Sequence, residues 1–381
     1  MIHLQYNCSF SENKLYFHKL LQNSPEKTVE ILFSACIFYA DNENKEFTMK
    51  QKKVLVLGAS GAMGRYLVPY LLEKDYKVDA VALDEQKSEN PNLKWIKGNA
   101  KDWVLRNELL ANNYDAIVDF LTYNSAEITY YLPQSLNSTG QYVFTSSGRI
   151  YDNLERPVKE TSPRLLDSCK DPLLINSDDY CIYKARGENI LTASGKKNWT
   201  IIRPATTYSF MRYQLVTLEA RDTVGRAFAG KDVTVPVQAK DKPATLSWGK
   251  DVARMIGELL FRDGAMGEAF NLNSAECRTW GEIADYYKDI CNLNAVWIDK
   301  EDYLDILNPY PYDLRCRWQL EYARLFDREV DNSKVLAVTG LKQEDMMPLY
   351  DGLKLEISRT PRDFDWGTNQ RMDDYLKKTK K

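Results

Sequence analysis

The sequence predicts an α/β fold built on a doubly wound parallel sheet. Three observations predict it. Short apolar runs of strand length alternate with stretches of helical period. One of those runs, Val54-Leu55-Val56-Leu57, is rich in branched residues, as a strand covered on both faces should be. That run ends in glycine, and the hydrophobic period changes directly after it, with Leu67, Tyr70 and Leu71 at helical spacing.

The glycine turn itself reads GASGAMG. Gly58 lets the chain turn sharply off the strand. Gly61 leaves room for a phosphate to approach the backbone, and Gly64 lets the helix pack close to the sheet. Amides at the helix start, helped by its dipole, then face an anion. The spacing is GxxGxxG, a variant of the dinucleotide fingerprint, and strand, glycines and helix all agree with it.

Further strands follow in order. Val78–Leu83 is expected as the second, ending at Asp84. An acid at this strand end can bind both ribose hydroxyls of an adenosine and repel a ribose phosphate, which favours NAD over NADP. Leu93–Ile96, Tyr114–Leu121, Gln141–Ser146 and Trp199–Ile202 are the next four, with helical patterns over Trp103–Leu110 and Ala126–Leu136. Val233–Val237 is expected as a short strand that Pro236 confines to an edge. Val252–Leu260 reads as a helix and Glu268–Leu272 as a late strand. From Thr279 the composition shifts to Tyr, Trp, Asp and Arg, with helical patches at Trp280–Ile290 and Gln343–Arg359. The charged tail MDDYLKKTKK is expected to fray.

Composition bounds the chemistry. The 381 residues are 44% hydrophobic and 28% charged, ordinary values for a soluble globular protein. A net charge of -3 argues against a general nucleic-acid binder. Seven scattered cysteines with no CxxC imply neither a disulfide framework nor a zinc site, which fits a reduced, cytoplasmic setting. The two histidines, His3 and His18, both precede the glycine turn. Histidine-dependent nucleophile pairs and metal sites are thereby excluded from the main body. Proton transfer there falls to Tyr, Lys, Asp, Glu or Cys.

Residues 1–48 read as an N-terminal extension, with Met49 as an alternative translation start. A short accessory helix pair is the competing reading. Val29–Ala40 is apolar but shorter than the ~20 residues a membrane helix needs, and no membrane role is expected. Residues 49–275 are expected to form the cofactor-binding domain with part of the substrate site. Residues 276–381 are expected to form a smaller mixed substrate domain covering the mouth of the sheet.

A second constellation lies at YCIYKARGE. Tyr180 and Lys184 are four apart and share a helix face. A nearby ammonium lowers the cost of a phenolate, so the tyrosine can serve as a base. Tyr70–Lys74 and Tyr350–Lys354 have the same spacing, and we read both as structural or surface pairs. Tyr180 differs in following the fifth strand, which runs into Ser146-Ser147-Gly148-Arg149-Ile150-Tyr151 at a carboxyl end, where ligands bind.

With GASGAMG, SSGRIY, YCIYK and IIRPATTY in that order, the chain resembles an extended short-chain dehydrogenase/reductase of the NAD-dependent epimerase/dehydratase family. The likeness spans roughly residues 52–275 and is weaker beyond, including Asp331-Asn332-Ser333-Lys334. The resemblance implies a Rossmann-type sheet, an NAD cofactor, a nucleotide-sugar substrate and a possible homodimer. It implies that Gly58, Ser60, Gly61, Ala62, Met63 and Gly64 hold the pyrophosphate and Asp84 the adenosine ribose. Asn99, Ala100, Leu121, Arg203 and Pro204 would border the cofactor. Ser147 would be the catalytic serine, Tyr180 the base, and Lys184 the residue that binds the nicotinamide ribose and tunes Tyr180. The implied reaction is epimerisation through a keto intermediate. A net reductase or dehydrogenase is one alternative, and a non-catalytic, RNA-binding or regulatory relative is another.

The sequence also departs from the family. Gly148-Arg149 stands where dehydratases carry Asp-Glu, which weakens a dehydratase reading. Asn99 replaces an Asp, and Phe120-Leu121-Thr122-Tyr123 replaces a run of small residues. Arg149, Arg203, Arg212 and Lys250 are candidate partners for a substrate diphosphate. Trp248 is a candidate to stack on a base, with aromatic core as the alternative.

Overall fold

A computed structural model describes residues 51–308 and 313–379. The expectations for residues 1–48 lie outside them. Lys52–Lys381 falls in one compact unit.

Seven strands form one all-parallel sheet: β1 (Lys53–Leu57), β2 (Lys77–Ala82), β3 (Leu93–Lys97), β4 (Tyr114–Asp119), β5 (Thr139–Thr145), β6 (Trp199–Pro204) and β7 (Glu268–Leu272). Their order is β7-β6-β5-β4-β1-β2-β3. The order reverses between β1 and β4, which opens a crevice at their carboxyl ends.

Helices α1 (Gly64–Glu73) and α5 (Gly249–Leu259) cover one face, with the turn of helix Ser333–Thr339 beside them. Val54, Val56, Leu67, Leu71, Ile256 and Val335 form the core there. The other face carries α2 (Trp103–Leu110), α3 (Ser125–Asn137) and α4 (Tyr180–Ala193) over Leu55, Leu57, Ile117, Leu132 and Phe144. Burial on both faces is why β1 reads as an unbroken apolar run, each such side chain stabilising by roughly 1.5–3 kcal/mol.

A separate core lies away from the sheet. It draws on two stretches of chain, Tyr208 to Trp248 and Trp280 to Leu376. Between them the chain returns to the sheet to build α5 and β7. This lobe is therefore discontinuous in sequence. Val233–Pro236 is a strand of this lobe, paired only with Ala295–Ile298, which suits its proline.

Several boundaries shift. The second strand starts and ends one residue early, and Leu83 is exposed, because the chain leaves the sheet before Asp84. The helix expected over Gln343–Arg359 begins only at Leu349, after Pro348. The tail was expected to fray, but Gln370–Thr379 is a helix. Met372 and Leu376, four apart, dock into the second core. Among the described residues no helix is long and apolar enough to cross a membrane.

Candidate active site

The glycine turn sits at the crevice. Gly58 has φ +79°, and a Cβ on it would stand 3.3 Å from that of Phe120. A Cβ on Gly64 would come within 2.5 Å of the Ala59 carbonyl oxygen, so only glycine lets α1 start so close to β1. At the start of α1 the Arg65, Tyr66 and Leu67 amides donate to the Gly61 and Met63 carbonyls of the turn, and the helix dipole there suits a phosphate. Asp84, just past β2, accepts a hydrogen bond from the Ser60 hydroxyl at 2.9 Å. That bond, with another from Gln86, holds the Asp84 carboxyl below its usual range. An ionised acid next to the turn suits ribose hydroxyls and opposes a ribose phosphate.

A cavity of about 390 Å³ opens at the carboxyl ends of β4, β5 and β6. Its wall holds Met63 of the glycine turn together with Ser147, Tyr180 and Lys184. Asp179 caps α4 by accepting from the Cys181 amide at 3.1 Å, and this fixes Tyr180 and Lys184 on the first two turns. The Ser147 hydroxyl accepts from the Arg149 amide at 3.1 Å.

Burial holds the Tyr180 phenol above its ordinary value, and its hydrogen bond with Ser147 offsets part of that rise. Arg149, Arg212 and Arg324 add to that offset. The tuning cations are therefore chiefly arginines. Lys184 is buried, 5.7 Å from the Tyr180 ring centre. Its ammonium donates to the carbonyls of Thr145 at 2.6 Å and Leu121 at 3.2 Å. Burial lowers it to about 8, and the Asp119 carboxylate resists that fall.

Asp119, buried at the end of β4, braces this corner. It accepts from the Leu121 amide at 3.0 Å, the Tyr123 hydroxyl at 2.8 Å and the Tyr142 hydroxyl at 3.0 Å. Arg106 lies 3.7 Å away. The Thr145 and Ser146 hydroxyls also stand at the cavity, buried and without a hydrogen-bond partner among the described residues. Orphaned polar atoms in a cavity wall fit a polar ligand.

The other expected site residues divide. Pro204 lines the cavity. Ala100 is buried, and its carbonyl accepts from Arg106 at 3.1 Å. Asn99 is exposed and folds its side chain onto the Lys101 amide at 3.0 Å. Arg203 is turned away from the cavity lining: its guanidinium makes two 2.8 Å bonds to the Glu188 carboxylate and donates to Tyr151 and the Glu160 carbonyl, which takes four of its five N–H groups. Lys250 is exposed outside the cavity. Trp248 is core, its indole N–H on Glu356 at 2.7 Å. Arg149 and Arg212 do line the cavity.

Among the cavity residues that were not anticipated are two arginines, Arg324 and Arg328. No local sequence pattern points to them, since the helix ends at Arg324 and Arg328 lies in irregular chain. Arg324 donates to the Val216 carbonyl at 2.8 Å, the Thr206 hydroxyl at 3.0 Å and the Gln214 amide oxygen at 3.3 Å. Arg328 donates to the carbonyls of Tyr151 at 2.6 Å and Asp152 at 3.2 Å.

Residues 54–235 match the model of the NAD dependent epimerase/dehydratase family. A sequence search of curated proteins finds no match. Among solved structures, the epimerase Mth375 of Methanothermobacter thermautotrophicus is 14% identical. It aligns over 87% of this chain and 94% of its own, with a TM-score of 0.62. UDP-glucose 4-epimerase of Thermotoga maritima, solved with UDP-glucose, is 17% identical over 86% of this chain and 100% of its own, with a TM-score of 0.59. The enzyme WbmH of Bordetella bronchiseptica, solved with NAD+, is 19% identical over 80% of this chain and 96% of its own, with a TM-score of 0.57. At these identities the likeness is one of fold.

Proposed function

We propose that the chain is an NAD-dependent epimerase acting on a nucleotide sugar, with Tyr180 as its base, a reading supported by the match of residues 54–235 to the NAD dependent epimerase/dehydratase family model. One observation carries the reading. Ser147, Tyr180 and Lys184 share a cavity with the glycine turn at the carboxyl ends of the sheet. The solved relatives with NAD+ or UDP-glucose bound support the choice of ligands.

The chain offers a place for each part of the cofactor. The start of α1 would hold the pyrophosphate, Asp84 and Ser60 the adenosine ribose, and the corner of Leu121, Thr145 and Lys184 the nicotinamide end. The chemistry supplied by bound NAD would be reversible hydride acceptance at the substrate carbon.

The protein's own work is positional and protonic. Ser147 orients the reacting hydroxyl and bonds the Tyr180 oxygen. Tyr180 takes the hydroxyl proton, its phenolate favoured by Ser147 and the surrounding arginines. Lys184, anchored by two carbonyls, fixes the nicotinamide ribose and adds positive charge. The second lobe adds Gln319, Arg324 and Arg328 to the cavity wall, and Arg212 and Arg324, which also line it, would meet a substrate diphosphate.

The test is turnover of a nucleotide-sugar panel by NAD-loaded protein. An epimerase converts substrate with no net change in nicotinamide absorbance. Steady accumulation of reduced cofactor would replace epimerisation with net oxidation.

A further inference from the structure

The cavity holds more positive charge than a diphosphate needs. Lys184, Arg149, Arg212, Arg324 and Arg328 line it, and Glu219 is the acidic residue among the lining groups. Arg324 and Arg328 have only neutral hydrogen-bond partners. Burial first, and then the neighbouring guanidinium groups, lower both to about 10, so both stay charged at neutral pH. Like charges gathered where water is scarce repel one another unless something negative completes the site.

Arg149 differs from the other arginines in position. It stands two residues after Ser147, with its guanidinium 5.8 Å from the Tyr180 ring centre. Its Nη2 is 3.0 Å from Asp179, whose carboxylate also caps α4. Even so, Nε and Nη2 are buried without a well-aligned hydrogen bond. The phenol of a working base lies within about 3 Å of the hydroxyl it deprotonates. Arg149 therefore faces the reacting ring. A diphosphate is esterified to a different carbon of that ring from the one oxidised, and lies to one side.

We propose that the substrate carries a second anionic group, a carboxylate or a phosphate, on the ring that Tyr180 deprotonates, and that Arg149 receives it. This rests on the reading of Tyr180 as the base. It narrows the substrates to charged sugars and makes Arg149 the specificity-determining residue.

The test uses NAD-loaded full-length protein and three probes that lack a nucleobase: glucose 1-phosphate, glucuronate 1-phosphate and glucose 1,6-bisphosphate. Calorimetric titration should show one of the doubly anionic probes binding about tenfold to a hundredfold tighter than glucose 1-phosphate. Which of the two gains affinity identifies carboxylate or phosphate. Arg149→Gln should erase the preference, measured as the ratio of affinities for the probes within that variant. Arg149→Lys keeps the charge beside Asp179, guards against misfolding and should retain part of the preference. Equal affinity for all three probes, no binding of any, or a preference that survives in Arg149→Gln would overturn the proposal. Tyr180→Phe separates the two readings. Intact turnover in that variant removes the base assignment, whereas the binding preference reports on Arg149 alone.

Discussion

Three Tyr–Lys pairs of identical spacing sit in this chain, and two of them in the structure make the comparison plain. Tyr70 and Lys74 share a carboxylate. Tyr70 donates to Glu258 at 2.5 Å, and Lys74 forms an ion pair with the same group. Burial and then that carboxylate push the Tyr70 phenol up. Tyr180 has Ser147 and three arginines instead, all acting to bring the phenol down against its burial. Tyr350, hydrogen-bonded to Asp289, sides with Tyr70. The spacing puts phenol and ammonium on one helix face in each case. All three phenols stand above their ordinary value, and the third partner sets the difference: a carboxylate adds to the rise, whereas Ser147 and the arginines offset part of it at Tyr180.

The largest expected effect tests this contrast head on. Tyr180→Phe should lower turnover by roughly 10²–10⁴-fold, the usual worth of a positioned base. Tyr70→Phe should leave turnover within about twofold and cost about 1 kcal/mol of stability for one lost hydrogen bond. Steady-state kinetics and urea unfolding on both variants read the two outcomes. Comparable losses of turnover in both would break the comparison.

A smaller effect concerns the lysine side of the pair. Asp119 keeps the Lys184 ammonium charged against its burial, while Lys101 works with burial and Glu188 with Asp119. Tyr180 and Phe144 present their rings to the same ammonium. Asp119→Asn removes the largest opposing charge, so the Lys184 pKa should fall below its present value of about 8. Where charged Lys184 is required, the alkaline limb of the kcat/KM profile should move to lower pH. A pH profile distinguishes this from simple loss of structure, which scales the whole curve without moving it.

The parts of this site that could be read in the sequence are those set by local chemistry. Gly58, Gly61 and Gly64 announce themselves because a turn of φ +79° and a close helix approach admit no side chain. Tyr180 and Lys184 follow from a period. What escaped reading is what the fold assembles across long distances. In the sequence Arg203 reads as following a strand and preceding a proline, like a site residue, whereas it lies within β6. Only the structure shows Glu188, on α4, absorbing its charge. Arg324 and Arg328 reach the cavity from a lobe whose core is drawn from two separated stretches, and no local pattern links them to Ser147. Asp119 did leave a trace, as a charge at the end of an apolar strand. Such a group needs partners, and Tyr123, Tyr142 and the Leu121 amide supply them.

The smallest effect isolates the carboxylate that silences the first pair. Glu258 is held down to about 2 from a usual 4.5, by Lys74, Tyr70 and Arg262 acting against its burial. A carboxyl whose folded pKa is depressed contributes stability that is fully present above its unfolded value. That contribution fades as pH falls from about 4.5 through about 2. Because the group is near the surface and its partners are partly solvated, its contribution at neutral pH should be only about 1–2 kcal/mol. Urea unfolding of Glu258→Gln should show that deficit at neutral pH, shrinking toward zero as wild type and variant are compared at lower pH. Turnover should not change, since releasing Tyr70 from its carboxylate still leaves it without Ser147, the arginines or a cavity. A Glu258→Gln protein that lost activity would mean that the helix carrying Tyr70 does more than support the sheet. The contrast between the two phenols would then fail on its quiet side.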